Sequence, residues 1–296
     1  PEQPNGLDAQ IPSSNVLDVR GAKTATSEYE AKLNDSSRLI RENFGMASLH
    51  LGTPRNMQDL QALIRDRIRF DAGANTYGTG IFSQYPTPFG GIEIAEDVFI
   101  DVKGAPKPSS LTNQRPGAPT ISTAVGASGD SQFATADAGT YYYKVVALNR
   151  YGDSVASSET SAIVTAGDAV TITITPDGGG PAPTGYKVYR SEIDASDGSN
   201  VLEAFKVPDS GGGTTDAVDT NADLPGTMSS YVLTMDPSYD AIEWFQFLPM
   251  MKFDLYPSKR AVYPFLMMLF GALALKKPVQ HVKIKNISPA DFTWFE

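Results

Sequence analysis

The chain has 296 residues, room for about two domains at roughly 150 residues each, so a small fold held together by staples is excluded. It contains no cysteine, which removes disulfides, thiolate zinc sites and cysteine nucleophiles, and only two histidines, His50 and His281. With 24 basic against 34 acidic residues the net charge is -10, the wrong sign for a chain whose main work is holding phosphate backbones by counterion release.

The longest nearly unbroken apolar run, 263–275, is 13 residues long and contains Pro264 and Gly271. A bilayer-spanning helix needs about 20 apolar residues, so this is a core segment. The chain opens on Pro1 with no initiator Met, basic n-region or apolar h-region, which points to a processed or truncated start. Charge is unevenly spread. Residues 116–227 carry 14 acidic and 5 basic side chains, net -9, and the remaining 184 residues carry 20 and 19.

In chain order, a polar lead occupies 1–26. Ser27 and Glu30 have the spacing of a capping box, and Tyr29, Leu33, Ile40 and Phe44 fall on one helical stripe that Gly45 stops. Thr53-Pro54 reads as an N-cap followed by proline in the first turn of a second helix, with Met57, Leu60, Ile64 and Ile68 as its apolar face. Its other face, with Arg55, Asp59, Asp66 and Arg69, is either solvated or a subunit contact. A Gly-rich loop follows over 71–80, and Ile92, Ile94 and 98–100 suggest a strand.

A Pro/Ser linker over 104–110 leads into the acidic segment. There the period drops to two: 141–148 is a strand, 170–175 alternates Val-Thr-Ile-Thr-Ile-Thr, and 186–190 alternates aromatic with basic residues. Several short strands, frequent Gly-rich turns and no helix predict an all-β sandwich inserted over 116–227. Beyond it, 244–253 is too apolar for a surface loop and, with Pro249 inside, reads as extended chain with a bulge or an edge. The run 263–275 is a buried strand or helix, since periodicity leaves both open, and 282–287 closes as a half-buried strand. The apolar stretches need partners to cover them.

Chemistry is sparse. There is no metalloprotease His pair, nucleophile elbow or Walker lysine; the loop 73–80 has phosphate-loop glycine spacing but Thr79 where the lysine belongs. The histidines lie far apart in sequence with no carboxylate motif beside either. Asp194, Asp197 and Asn200, and later Asp216, Asp219 and Asp223, lack the spacing of a calcium loop and read as solvated acidic loops. Tyr141 and Tyr143 share one sheet face, for core packing, while Tyr142 faces the other way, where a sugar could stack. No residue is assigned a catalytic, cofactor-binding or metal-binding role, and no enzyme activity is expected.

Two resemblances enter on specific residues. Pro116-Gly117-Ala118-Pro119-Thr120, the strand 138–149, the turn Tyr151-Gly152-Asp153-Ser154 and Gly185-Tyr186-Lys187-Val188-Tyr189-Arg190 resemble the fibronectin type III or immunoglobulin-like modules of phage structural proteins, in a shifted strand order. The flanks resemble the major capsid protein of tailed bacteriophages, the Hong Kong 97-type fold. The residues concerned are Asn43-Phe44-Gly45, Gly52-Thr53-Pro54, 248–255, Tyr263-Pro264-Phe265, 270–278 and 281–287.

That resemblance implies an α+β fold with axial-domain parts over 27–115, the insertion over 116–227, and a return through the axial and peripheral domains over 228–296. The N-terminal arm and spine helix of that family have no counterpart here, which implies a missing upstream part. It further implies self-assembly into hexamers and pentamers of an icosahedral virion shell, built in the host cytoplasm with scaffold, portal or decoration proteins as partners. DNA would be enclosed and touched only non-specifically, with no membrane and no cofactor. The alternatives are an encapsulin-type nanocompartment shell and an extracellular carbohydrate-binding adhesin or enzyme.

Overall fold

The computed structural model describes residues 6–24, 26–65, 84–100, 103–254 and 265–294. In chain order the elements are α1 (Leu7–Gln10), β1 (Val16–Asp18), α2 (Ser27–Glu42), β2 (Leu49–Gly52), α3 (Pro54–Arg65), β3 (Gln84–Thr87) and β4 (Gly90–Glu96). They continue with β5 (Thr120–Ala127), β6 (Gly139–Asn149), β7 (Gly152–Asp153), β8 (Thr160–Val164), β9 (Asp168–Thr175), β10 (Gly185–Ser191), β11 (Val201–Pro208) and β12 (Thr215–Asp219). The last four are β13 (Met228–Leu233), β14 (Ile242–Asp254), β15 (Phe265–Leu275) and β16 (Val282–Ile287). Two compact units result: Pro1–Asp18, Thr26–Val98 and Ser230–Ile284 form the first, and Val19–Ala25, Phe99–Ser229 and Lys285–Glu296 the second.

The first unit is built on a sheet of order β1-β16-β13-β2-β4-β3, in which β2 runs parallel to β4 and antiparallel to β13. The parallel pair requires a crossover, and α3 lies in it. Thr53 caps α3 as its sequence predicts: its Oγ1 accepts the Asn56 amide at 3.1 Å, and Pro54 takes the first position, where a missing N–H costs nothing. Of the expected α3 stripe, Leu60 is buried and Met57 half-buried. Ile68, Asp66, Arg69 and the loop 71–80 lie outside the described residues.

The helix α2 buries Tyr29, Leu33 and Ile40 as expected, but its ends differ from expectation. Thr26 is the N-cap and makes no side-chain cap bond, so the Ser27/Glu30 capping box does not form. At the other end Phe44 takes the left-handed conformation, φ 61°, and is 86% exposed instead of joining the apolar stripe. The amides of Phe44 and Gly45 bond back to the carbonyls of Arg41 (3.0 Å) and Ile40 (2.9 Å), a Schellman ending. Gly45 serves close packing: a Cβ there would lie 2.8 Å from Ile40 Cγ2 and 3.1 Å from Gln280 Cγ. Residues 98–100, expected in a strand, fall in a turn after β4 ends at Glu96.

The second unit contains two antiparallel sheets, one ordered β11-β10-β6-β7 with β8 also on β6, the other β12-β9-β5. Their inner faces share one core that includes Phe133, Tyr143, Val145, Ile172, Ile174, Tyr186, Val188 and Ala217. The alternation in 170–175 predicts this face: Val170, Ile172 and Ile174 are buried, and the threonines between them look outward. Burying such a side chain stabilises by about 1.5–3 kcal/mol. Tyr141 and Tyr143 enter the core at 5% and 0% exposure, as their shared parity requires, while Tyr142 is half-buried.

Candidate assembly surface

The apolar stretches after the acidic segment form β14 and β15, a two-stranded antiparallel ribbon that resolves the strand-or-helix ambiguity of 263–275 in favour of a strand over Phe265–Leu275. The register slips between Gln246 and Leu248 and again between Leu248 and Met251, so the bulge expected around Pro249 is present. At the base, Gln10 brackets β15, donating through Nε2 to the Leu273 carbonyl at 3.1 Å and accepting the Leu275 amide at 2.9 Å. Lys276 pairs with Asp240 at 3.0 Å and with Glu243, and these carboxylates hold its ammonium above its usual pKa. Gly271 leaves room for the Trp244 ring, whose Cζ2 would lie 2.5 Å from an added Cβ.

Burial is where expectation and structure part. These segments read as core, yet the ribbon exposes Trp244, Phe245, Phe247, Leu248, Met250 and Phe253 on β14, and Phe265, Leu266, Met267, Leu269 and Phe270 on β15. Each is about half exposed, Phe247 81%. At roughly 200 Å² per large side chain they present roughly 1,100 Å² of apolar surface, against the 300–600 Å² patch of an ordinary monomer. No charge interrupts β14 between Glu243 and Lys252, and β15 has none. A two-stranded ribbon is marginal by itself, and among the described residues β14 and β15 pair with no further strand, Gln10 meeting the β15 backbone only at its base.

Neither histidine assembles a reactive site. His50, fully buried, belongs to a polar hub: the Tyr29 hydroxyl donates to Asn56 Oδ1 at 3.3 Å, His50 Nε2 lies 3.0 Å from the same hydroxyl, and Ser230 Oγ lies 3.3 Å from it. His50 Nδ1 is buried without a partner. Burial pushes the imidazole down to about 4 and the Tyr29 phenol up to about 12. His281 accepts the Thr234 amide at Nδ1 (3.4 Å) and contacts the Ala241 carbonyl through Nε2 (3.4 Å); burial lowers its pKa too.

The acidic residues divide. Asp216 accepts from Thr173, Asp223 faces Lys103 and Lys285, and Asp197 turns onto the Ser199 amide, all at exposed or partly exposed positions. Asp219, expected in a solvated loop, is instead 1% exposed. It accepts from Arg190 Nη1 (2.7 Å) and the Tyr143 hydroxyl (2.9 Å) at Oδ2, and from the Asn221 amide at Oδ1 (2.8 Å). The signal was present in the period-two pattern. Arg190 shares parity with the core residues Tyr186 and Val188, and Asp219 with Thr215 and Ala217. Among the described residues no three His, Asp or Glu side chains come together to hold a metal.

No family model matches the chain. It is similar to a phage protein. The relative is named "Putative major capsid protein" of Enterococcus phage phiEF24C and is 26% identical over 295 residues, covering 96% of this chain. The chain spans 61% of that relative's length. No described helix is long and apolar enough to cross a membrane.

Proposed function

We propose that this chain is a structural, non-enzymatic shell subunit, the major capsid protein of a tailed bacteriophage. The observation that carries the reading is the β14–β15 ribbon. Its roughly 1,100 Å² of exposed apolar surface exceeds the roughly 800 Å² per partner of a standard interface, and obligate interfaces between identical subunits are the more apolar kind. The similarity to a capsid protein over nearly the whole chain supports the same reading.

In finer detail, the flanks 27–115 and 228–296 form axial and peripheral parts of a Hong Kong 97-type fold, and 116–227 is an inserted fibronectin type III-like module. Its two most characteristic strands, β6 and β10, are antiparallel neighbours in one sheet despite their shifted chain order, which favours that module. Insertion there is thermodynamically mild, because closure entropy grows slowly with loop length. The module's net charge of -9 favours a position outside the shell, with the near-neutral remainder facing polyanionic DNA with little repulsion.

Reconstruction of the virion by electron cryomicroscopy tests both levels. The expected map has this chain repeated as hexamers and pentamers in an icosahedral shell, with the two-sheet unit outward and the ribbon covered by neighbours. A chain that remains a monomer, or is absent from purified particles, overturns the proposal. A shell with 116–227 turned toward the genome overturns the charge argument alone.

A further inference from the structure

The polar lead is tied to the first unit at the root of the β14–β15 ribbon. The Gln10 side chain bonds to the Leu273 carbonyl and the Leu275 amide, two residues apart on β15, the pattern by which one residue of a parallel strand would pair with it. Asn15, 4% exposed, donates through Nδ2 to the carbonyls of Val279 (2.7 Å) and His281 (3.0 Å), in the connection from β15 to β16. Asp8 accepts from the Tyr231 hydroxyl at 3.2 Å and pairs with Lys283, and β1 carries the lead into the sheet beside β16. Three polar side chains thus fasten residues 8–15 across the place where the ribbon leaves the unit.

The fastening is polar and shallow. Of residues 7–15 only Ile11 and Asn15 are buried, and α1 buries nothing. Neutral hydrogen bonds add modest net stability because water replaces them, and segments with few buried apolar contacts open at lower free energy than the core. The ribbon depends on such ties. Two strands are marginal alone, and the ion pairs of Lys276 with Asp240 and Glu243 at the same root are partly exposed. A ribbon free to change direction has to be ordered when it meets a neighbour, and that ordering opposes association.

We propose that residues 8–15 form a strap that holds the ribbon in one direction ready for contact, with Gln10 as the positioning residue that couples strap to ribbon. The strap acts on the order of the ribbon and not on its apolar area. Its consequence for assembly rests on the proposed function, whereas the coupling itself is read from the unassembled chain.

The test is amide hydrogen exchange by mass spectrometry on the full chain, diluted until it is monomeric. The parent is compared with Gln10→Met, a change at a half-buried position that keeps the length of the side chain and removes both bonds to β15. The expected result is exchange about tenfold faster throughout β14 and β15, which corresponds to about 1.4 kcal/mol, with β13 unchanged. Acceleration confined to Leu275 and its neighbours, acceleration shared equally by β13, or a ribbon already unprotected in the parent overturns the proposal. In sedimentation velocity the same variant should self-associate about tenfold more weakly although no ribbon side chain has changed. A parent that associates and a variant that associates equally tightly also overturn it. A parent that never associates defeats the assembly reading instead, and the exchange result alone then decides the strap.

Discussion

Arg190 Nη1 donates to Asp219 Oδ2 across 2.7 Å with both side chains withdrawn from solvent, at 2% and 1% exposure. The guanidinium also lies over the rings of Tyr141 and Phe133, at 5.1 and 5.4 Å, and Nη2 donates to Asn221 Oδ1 at 2.7 Å. Burial by itself would lower the Arg190 pKa; the Asp219 charge outweighs it, and the group stands above its usual value.

Removing one partner therefore strands a buried charge. Asp219→Ala is expected to destabilise the second unit by about 3–5 kcal/mol, measured by urea denaturation of the full chain. The double change Arg190→Met with Asp219→Leu removes both charges and is expected to cost less than Asp219→Ala alone. A loss under about 1 kcal/mol for Asp219→Ala would contradict the assignment of this pair as a buried, uncompensable one.

His50 makes the first unit acid-sensitive. Its pKa is about 4 in the folded chain, below the ordinary 6.5, so between these values the unfolded chain binds more protons. The stability it contributes is complete above pH 6.5 and is lost as the pH falls toward 4, amounting to about 3 kcal/mol across that window at 1.36 kcal/mol per pKa unit. His281, also lowered, adds with the same sign. His50→Gln should flatten the decline of the urea midpoint between pH 7 and pH 4, and an unchanged slope would assign the effect elsewhere.

The end of α2 offers a stabilising change. Phe44 is highly exposed and held at φ 61°, which costs a residue with a Cβ about 1–2 kcal/mol. Phe44→Gly is expected to raise stability by about 1 kcal/mol in thermal unfolding. Gly45→Ala next door should do the reverse, because the added methyl meets Ile40 and Gln280.

Charge placed on the ribbon should separate assembly from folding. Phe247→Asp and Met267→Lys alter side chains already 81% and 52% exposed, so each is expected to change monomer stability by within about 0.5 kcal/mol. Each should nonetheless weaken self-association at least tenfold in sedimentation velocity. Variants that associate like the parent would remove the ribbon from the contact.

How far each part of the fold could be read ahead depends on how local its cause is. The strand over 170–175, the burial of Tyr141 and Tyr143 and the Thr53 cap follow from neighbours one to four residues away, so they were readable without coordinates. The α2 capping box failed because a spacing permits a hydrogen bond without requiring it. Phe44 failed because helical periodicity says nothing about which residue turns left-handed.

The sequence by itself determined which faces are apolar, where the charge is concentrated and where the β-rich segment lies, because burial on one side of an element imposes its own repeat. Only the tertiary structure decided which polar groups meet: Tyr29 of α2 with His50 and Ser230 on strands, and Arg190 of one sheet with Asp219 of the other, pairs separated by up to 201 residues and joined by packing between elements. It likewise decided that β14 and β15 stand exposed. Apolarity states that a surface will be covered, but what covers it depends on which other surfaces come within reach.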